Sequence, residues 1–520
     1  MRRIVGVLTV AAVPLVLVLL YVAATLRARE TLNSRIREHA EEARTALASA
    51  RERVARSESL RQSAYRAFDE RKQAEGERLW DQMRAEQGEV QQLFRRASGS
   101  AEAAFLIDSR RRDMRQLVGT ILFEQAVTAE RDLSQAQRDD LLQRLGLYDA
   151  DGSFRHRLEA PATVDIDSDP PGAKVTLTPI DAAFALHAER SYTLGTTPIR
   201  RSKLTPGVYL LSLSQSGRSD VRYPVRLERG ESLNLRIYLP LPSQIPPGFV
   251  YIPAGRFLFG STADDDSRRV FFSHVPQHKL WTDSYLIARY ETTFGDWLRF
   301  LRALSPDERQ RRMPRTGNMG ASGSLQLTQG KDGVFEFAEQ PSDQLYRARE
   351  GQLIHYPGRS KLADQDWLKM PVTAITSDDA HAYTSWLASS GQLPGARLCS
   401  DPEWERVARG ADGRPYPHGR RLASDDANFD QTYGQAPLAI GLDEVGSHPA
   451  SRSVFGVDDL AGNAYEWTSS SVSERPYALR GGAFYYDALT AHIDNRHEPE
   501  PGLRNFTAGL RVCATLKSLP

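Results

Sequence analysis

The sequence predicts a multidomain chain: an N-terminal transmembrane helix running into an α-helical stalk, then a small β-sandwich, then an α+β C-terminal half. Three observations carry that expectation. An uncharged apolar run extends from Ile4 to Thr25, and no proline stands between Pro14 and Pro161. After Pro161 short alternating stretches appear, which give way from Ile245 to tryptophan- and glycine-rich text. The boundaries are 1–27, 28–160, 161–243 and 244–520. With 67 basic and 66 acidic side chains the formal net charge is +1, so no basic field exists to hold nucleic acid, and no nucleic-acid partner is expected. Two cysteines, Cys399 and Cys513, exclude a disulfide-dense scaffold, a four-cysteine zinc site and a cysteine-ligated iron–sulfur cluster.

At about 1.5 Å per residue, the run 4–25 suffices for the roughly 30 Å core of a bilayer. Arg2 and Arg3 before it favour a cytoplasmic N-terminus. A cleaved secretory signal would carry a shorter apolar core of about 7–15 residues, so an uncleaved anchor is the expectation. The chain then reads as a single-pass protein of a bacterial inner membrane, held through residues 4–25 with its bulk periplasmic. Beyond Thr25, text rich in Glu, Arg, Ala and Gln favours long helices. Leu32, Ile36, Ala43, Leu47, Ala50 and Val54 recur mostly by threes and fours, as a heptad seam does. Leu79, Met83, Val90, Leu93 and Phe94 follow, then an apolar stretch at 117–122. Residues 28–148 therefore read as helical hairpins or a coiled coil, with self-association through the stalk as an expectation. The Arg110–Arg111–Arg112 run reads as a solvated face.

In the third segment, Val164, Ile166, Val175 and Leu177 alternate with polar residues around Asp169-Pro170-Pro171-Gly172. Further alternating runs at 208–213, 221–227 and 233–239 are separated by turn residues, which describes a small β-sandwich. Here the chain resembles the PEGA domain: Pro170, Pro171, Gly172 and Ala173 match its naming turn with the glutamate replaced. Gly195-Thr196-Thr197-Pro198 and Leu204-Thr205-Pro206-Gly207 fit the same pattern. The resemblance implies an adhesion or spacer module.

The C-terminal half opens with a hairpin-like stretch, Phe249–Ser261, and continues with helix signals at Tyr290–Phe300, Ser377–Trp386 and Glu403–Arg409. Gly462-Asn463-Ala464-Tyr465-Glu466-Trp467-Thr468 is followed by Arg480-Gly481-Gly482 and by a closing Gly509-Leu510-Arg511-Val512. In this order the segments resemble the formylglycine-generating enzyme (sulfatase-modifying factor) domain. The resemblance implies a C-type-lectin-like α+β fold of low regular secondary structure, often calcium-stabilised. Residues 303–366 exceed the family core and read as a surface excursion.

Active members of that family oxidise a substrate cysteine with copper held by two thiolates, soft ligands that monovalent copper requires. Those thiolates stand three and eight positions after the residue that here is Ala483, and the chain has Tyr486 and Ala491 there. The resemblance therefore implies a pseudoenzyme whose former groove is outlined by Ala483, Tyr486, Ala491, His492 and Arg496. The sulfoxide-synthase branch binds iron through His-x3-His-x-Glu; His274 and His278 have that spacing, but Leu280 replaces the glutamate, and both read as surface-loop histidines. The resemblance also implies a calcium site at Asp459, Gly462, Ala464 and Glu466, although Glu466 could instead satisfy backbone donors. A second site matches Asn428 and Phe429, with its distal segment reading Pro437-Leu438-Ala439. Cys399 and Cys513 either pair or remain two buried thiols.

The function these readings favour is binding of a protein or peptide partner by the head, in bacterial signalling or in secretion-system regulation or immunity. No kinase signature is present. Calcium is the expected cofactor; copper and iron are not. One alternative is a non-haem iron or copper oxygenase using His492 and His497 with Asp487 or Asp494. The other is a passive envelope scaffold.

Overall fold

The computed structural model describes residues 2–132, 134–500 and 502–516, with the side chains of residues 2–15 and 135 outside the description. The chain forms two units, Met1–Glu159 and Ala160–Pro520.

In the first unit, α1 (Arg2–Asp69) and α2 (Gln73–Ile107) form a long helical hairpin. Its seam is the expected one: Ile36, Ala43, Leu47 and Ala50 are buried, as are Met83, Val90 and Phe94. Leu32 is exposed instead. Three shorter helices complete the unit: α3 (Arg112–Arg131), α4 (Gln135–Leu145) and α5 (Ser153–Leu158). Phe154 of α5 packs against Phe123 at 5.8 Å between ring centres, and Arg51 reaches across to Glu124 at 2.6 Å. Arg110, between α2 and α3, and Arg112, at the start of α3, are exposed.

The membrane anchor expected over residues 4–25 is corrected. Among the described residues, no helix is long and apolar enough to cross a membrane. The side chains of residues 4–15 lie outside the described residues. The described apolar remainder, residues 16–26, spans only about 16 Å against the roughly 30 Å of a bilayer core. Arg27, Arg29 and Glu30 then bring charge into the same helix. The single-pass inner-membrane placement and the membrane as a partner are withdrawn with the anchor.

The second unit begins with β1 (Ala162–Asp169), β2 (Lys174–Ile180), β3 (Tyr192–Thr196), β4 (Ile199–Leu204), β5 (Gly207–Ser214), β6 (Val221–Leu227) and β7 (Ser232–Tyr238). They form two sheets, ordered β4-β1-β7 and β3-β2-β5-β6, with Val164, Ile166, Val175, Leu177, Leu213 and Ile237 buried between them. Strands β1, β2, β5, β6 and β7 follow the alternation read in the sequence; β3 and β4 are additional. The two turn motifs clasp each other, Thr197 Oγ1 accepting from the Gly172 and Ala173 amides at 3.1 and 2.9 Å.

The remainder is the head. A sheet ordered β18-β22-β11-β8 is built from β8 (Phe249–Ile252), β11 (Tyr285–Ala288), β18 (Ala396–Leu398) and β22 (Val512–Thr515). A hairpin of β9 (Gly255–Phe259) and β10 (His278–Thr282) stands beside it. Helix α6 (Phe294–Ala303) starts at Thr293, whose side chain caps it reciprocally with Asp296. The short α7 (Pro306–Arg311) follows. The stretch read as a surface excursion is instead a sheet of β12 (Arg315–Thr316), β13 (Ser324–Gln329), β14 (Phe335–Gln340) and β15 (Tyr346–Arg349). It buries Leu325, Leu327, Phe335 and Phe337, and Phe337 stacks on Trp367 at 5.3 Å. Its apolar alternation explains the correction, because that face has to be covered. After the pair β16 (Ile354–His355) and β17 (Asp364–Gln365) come α8 (Ser377–Ser389), capped by Thr376, and α9 (Asp401–Arg409). A last sheet, β20-β19-β21, joins β19 (Tyr465–Ser469), β20 (Tyr477–Arg480) and β21 (Ala508–Leu510).

Sandwich and head share a core. Ile180 and Leu210 of the sandwich lie in one buried cluster with Ile252, Tyr285, Ile287 and Trp404 of the head.

Candidate functional site

The motif segments converge on a buried network of charges. Helix α9 and β20 supply Glu405, Arg409 and Arg480, all essentially without solvent exposure. Glu405 accepts from Arg480 at 2.6 Å, from Arg409 at 3.0 Å, from the Gly260 amide at 2.8 Å and from His274 Nε2 at 2.8 Å. The Val275 amide donates to His274 Nδ1, and burial pulls that imidazole below its ordinary range against the pull of Glu405. Asp494 accepts from Arg409 at 2.7 Å and from Ser261 Oγ at 2.6 Å. Asp401 accepts from Arg496 Nε at 2.6 Å. Burial opposes charge on all three carboxyls, but His274, Arg409 and Arg480 around Glu405, Arg409 and His492 around Asp494, and Arg496, Arg480 and His274 around Asp401 outweigh it and hold them below their ordinary range. His274 and His278 are thus not surface residues: they are 1% and 6% exposed, and Pro276 O accepts from His278 Nδ1.

Around this core the former groove positions separate. Ala483 and Ala491 are buried, and Arg496 is a core residue, also donating to Ser273 O and Ser470 Oγ. Gly482 lies at φ +72°, where a Cβ would stand 2.7 Å from the Ala491 backbone. That contact presses the Arg-Gly-Gly turn against the segment that carries thiolates in active relatives. Tyr486 is half-buried and packs edge-on against Tyr465 and Tyr485, each at 5.6 Å, and Tyr485 meets Phe506 at 5.3 Å. Tyr485 and Leu489 are 41% and 44% exposed. The surface at these positions is therefore an aromatic shelf. His492 is half-buried between Phe272 and Tyr416, with Asp494 3.6 Å away but already paired to Arg409. His497 and Asp487 are exposed. Among the described residues, no three or more His, Cys, Asp or Glu side chains converge on a metal position.

The segments that the resemblance gives to calcium do not fit that ion. Glu466 accepts from Arg511 at 2.7 and 3.0 Å and from Trp404 Nε1 at 2.7 Å, so a guanidinium already neutralises it. Asp459 accepts from the Gly446 amide at 2.5 Å. Gly462 approaches Asn428 so closely that a Cβ would meet its carbonyl at 2.2 Å, and Ala464 is buried. At the second segment Asn428 donates to Gly441 O at 2.9 Å, while the Phe429 amide donates to Thr432. The carbonyls beside it belong to Arg359. That side chain donates to Ala439 O at 2.7 Å, to Gly441 O at 2.9 Å and to Asp443 at 2.6 Å. It lies sandwiched over Tyr356 and Tyr433 at 3.7 and 4.1 Å. Cys399, just after β18, and Cys513 of β22 form a disulfide.

Sequence reasoning missed Glu405, Arg409, Arg480, Arg359 and Glu291. The sequence carried no signal for them: α9 reads as an amphipathic helix, with Asp401, Glu405, Arg406 and Arg409 on the side away from Trp404, Val407 and Ala408, and the structure buries that charged side as well. Glu291 is buried with both carboxylate oxygens lacking a partner, and burial, then Asp459, lift it well above the usual carboxyl range. Burial likewise pushes Asp459 up to about 6 and Glu339 up to about 7. A carboxyl with a raised folded-state pKa lends its stability fully below its unfolded pKa and loses it as pH rises through the folded one. The melting temperature is accordingly expected to fall between about pH 5 and 8. Glu339→Gln, which still accepts from Tyr356, should remove part of that fall. Parallel pH profiles for the two proteins would contradict this.

Fold and site together define a formylglycine-generating-enzyme-like head without the copper thiolates. Residues 239–516, more than half of the chain, match the sulfatase-modifying factor enzyme 1-like domain, and the chain belongs to that family. Among its relatives, serine/threonine-protein kinase Pkn1 of Chlamydia trachomatis serovar L2 is 24% identical over 296 residues, 53% of this chain and 39% of that protein. Inactive C-alpha-formylglycine-generating enzyme 2 of Mus musculus is 26% identical over 273 residues, 48% of this chain and 78% of that protein. The solved structure of PvdO from Pseudomonas aeruginosa aligns with 52% of this chain and 94% of its own at 22% identity, with a TM-score of 0.35. The chain thus spans about two fifths of the length of the kinase relative.

Proposed function

We propose that the head is a pseudoenzyme domain that binds a protein or peptide partner on the aromatic shelf formed by Tyr485, Tyr486, Leu489 and Phe506. The observation that carries this reading is the replacement of the two thiolate positions by Tyr486 and Ala491 on an otherwise retained scaffold. Exposed tyrosines give large contact area at low entropic cost, the property that makes them frequent binding anchors. The proposed setting is bacterial signalling, or secretion-system regulation or immunity; kinship with an inactive formylglycine-generating enzyme supports the pseudoenzyme reading, and kinship with a kinase-named bacterial protein bears on signalling alone.

The test compares proteins retained from cell extract by the full chain and by its Tyr485→Ala/Leu489→Asp variant, at matched melting temperature. The expected result is a specific partner depleted at least about tenfold with the variant, as loss of an anchor pair implies. Identical sets of retained proteins would overturn the proposal. So would copper or iron at one equivalent together with oxygen consumption.

A further inference from the structure

We propose that Arg222 of the sandwich and Arg289 and Arg452 of the head form a binding site for a phosphoryl group. The site shares no residue with the aromatic shelf and goes beyond it.

Asp458 organises two of the three arginines. It is fully buried, and its oxygens are taken by different guanidiniums: Arg289 Nε donates to Oδ2 and Arg452 Nε to Oδ1, each at 2.7 Å. Because each arginine spends only its Nε, the Nη groups of both remain, with no acceptor among the described residues. The two side chains are 37% and 40% exposed, so incoming ligand can reach them. The third arginine, Arg222 of β6, is half-buried, and its guanidinium has neither a hydrogen-bond nor an ion-pair partner among the described residues. A Cβ placed on Gly456 would stand 3.6 Å from Arg222 Nη1, which sets that guanidinium beside the turn following Arg452. Burial first, and then the charge of Arg452, pull Arg222 below its ordinary pKa.

The scaffold under these groups is fixed without a ligand. Ser453 and Val457 close a turn, the Ser453 amide donating to Val457 O and the Gly456 amide to Ser453 O, both at 2.9 Å. Val454, Phe455 and Val457 anchor that turn in the core that sandwich and head share. Arg222 is held in turn between the buried Val221 and Tyr223.

The chemistry of the set chooses the occupant. Three positive charges surround one carboxylate, and the next acid, Asp459, faces inward to the Gly446 amide and Arg511. Like charges gathered in this way repel, and a bound anion relieves the repulsion. Guanidinium forks match oxyanions two donors at a time, and a phosphate monoester offers three oxygens and nearly two negative charges. A single carboxylate offers two oxygens and one charge, so it satisfies the set less well.

The test is calorimetric titration and thermal unfolding of the full chain with inorganic phosphate, with a phosphoserine peptide and with its unphosphorylated twin. Chloride at matched ionic strength is the reference. Phosphate should raise the melting temperature by about 3 °C at about tenfold excess over its dissociation constant, and chloride should not. Arg222→Gln strands no partner; it should bind phosphate about tenfold more weakly. Without phosphate it should melt at or above the parent, because a like-charge contact is gone. Arg222→Lys, which keeps the charge and loses the fork, should fall between the two in affinity. Tighter binding of the phosphoserine peptide than of inorganic phosphate assigns the group to a phosphorylated side chain, and the reverse order assigns it to the free anion; either supports the site. Equal responses to phosphate and chloride, or affinity indifferent to Arg222→Gln, would overturn the proposal. So would a phosphate-free Arg222→Gln protein that melts well below the parent, since the arginine would then be structural.

Discussion

Glu405→Gln is expected to cost the head about 3–5 kcal/mol of stability, the scale seen when one partner of a buried charge pair is removed. The substitution is nearly isosteric, so the loss reports charge rather than volume. Arg409 and Arg480 donate to different oxygens of Glu405, so glutamine keeps an acceptor for only one of them, and both lose the carboxylate that offsets their burial. His274 loses its anionic acceptor as well. Denaturant unfolding followed by tryptophan fluorescence suits the test, because Trp404 and Trp467 are buried within the head. Exposed Glu500→Gln is the control and should stay within about 0.5 kcal/mol of the parent. The network also fixes the acid limb of stability. Glu405, Asp401 and Asp494 titrate below their ordinary range, so what they contribute is complete above about pH 4 and drains as pH falls toward their folded-state values. That limb should be shallower in Glu405→Gln.

Arg359→Met should be comparably damaging. It leaves Asp443 buried without its guanidinium, strips the side-chain donor from Ala439 O and leaves Gly441 O with Asn428 alone. Methionine can refill the slot between Tyr356 and Tyr433 but cannot donate to a carbonyl. A loss of about 3–5 kcal/mol is expected, or roughly 10 °C in melting temperature. The unsubstituted protein should melt at the same temperature in chelator and in calcium, because this arginine already supplies positive charge to those oxygens. A large calcium-dependent rise in the unsubstituted protein would show that the guanidinium does not hold that place.

The sequence made the local patterns legible and left the long-range ones hidden. Spacing by threes and fours disclosed the seam through Ile36, Ala43 and Leu47, and alternation disclosed β5, β6 and β7, because a helix or strand face is a short-range property. The Gly-Asn-x-x-Glu-Trp-Thr and Arg-Gly-Gly segments pointed to the family through their order. No periodicity states that Glu405 meets His274, 131 residues away, or that Arg359 reaches Asp443 across 84. Arg496 was misplaced for the same reason. It looked like a groove residue by proximity to Ala491, yet it points inward to Asp401. The apolar run at the N-terminus misled in another way, since hydropathy alone does not say whether an apolar helix spans a bilayer or continues into a charged stalk.

The cluster shared by Ile180, Leu210, Ile252 and Trp404 has a mechanical consequence. Sandwich and head are welded rather than strung like beads, so tension or torque applied to one is delivered to the other with little slack. Cutting the chain between residues 238 and 249 would bare apolar surface on both halves. An isolated head would then measure the stickiness of its wound as well as its own binding.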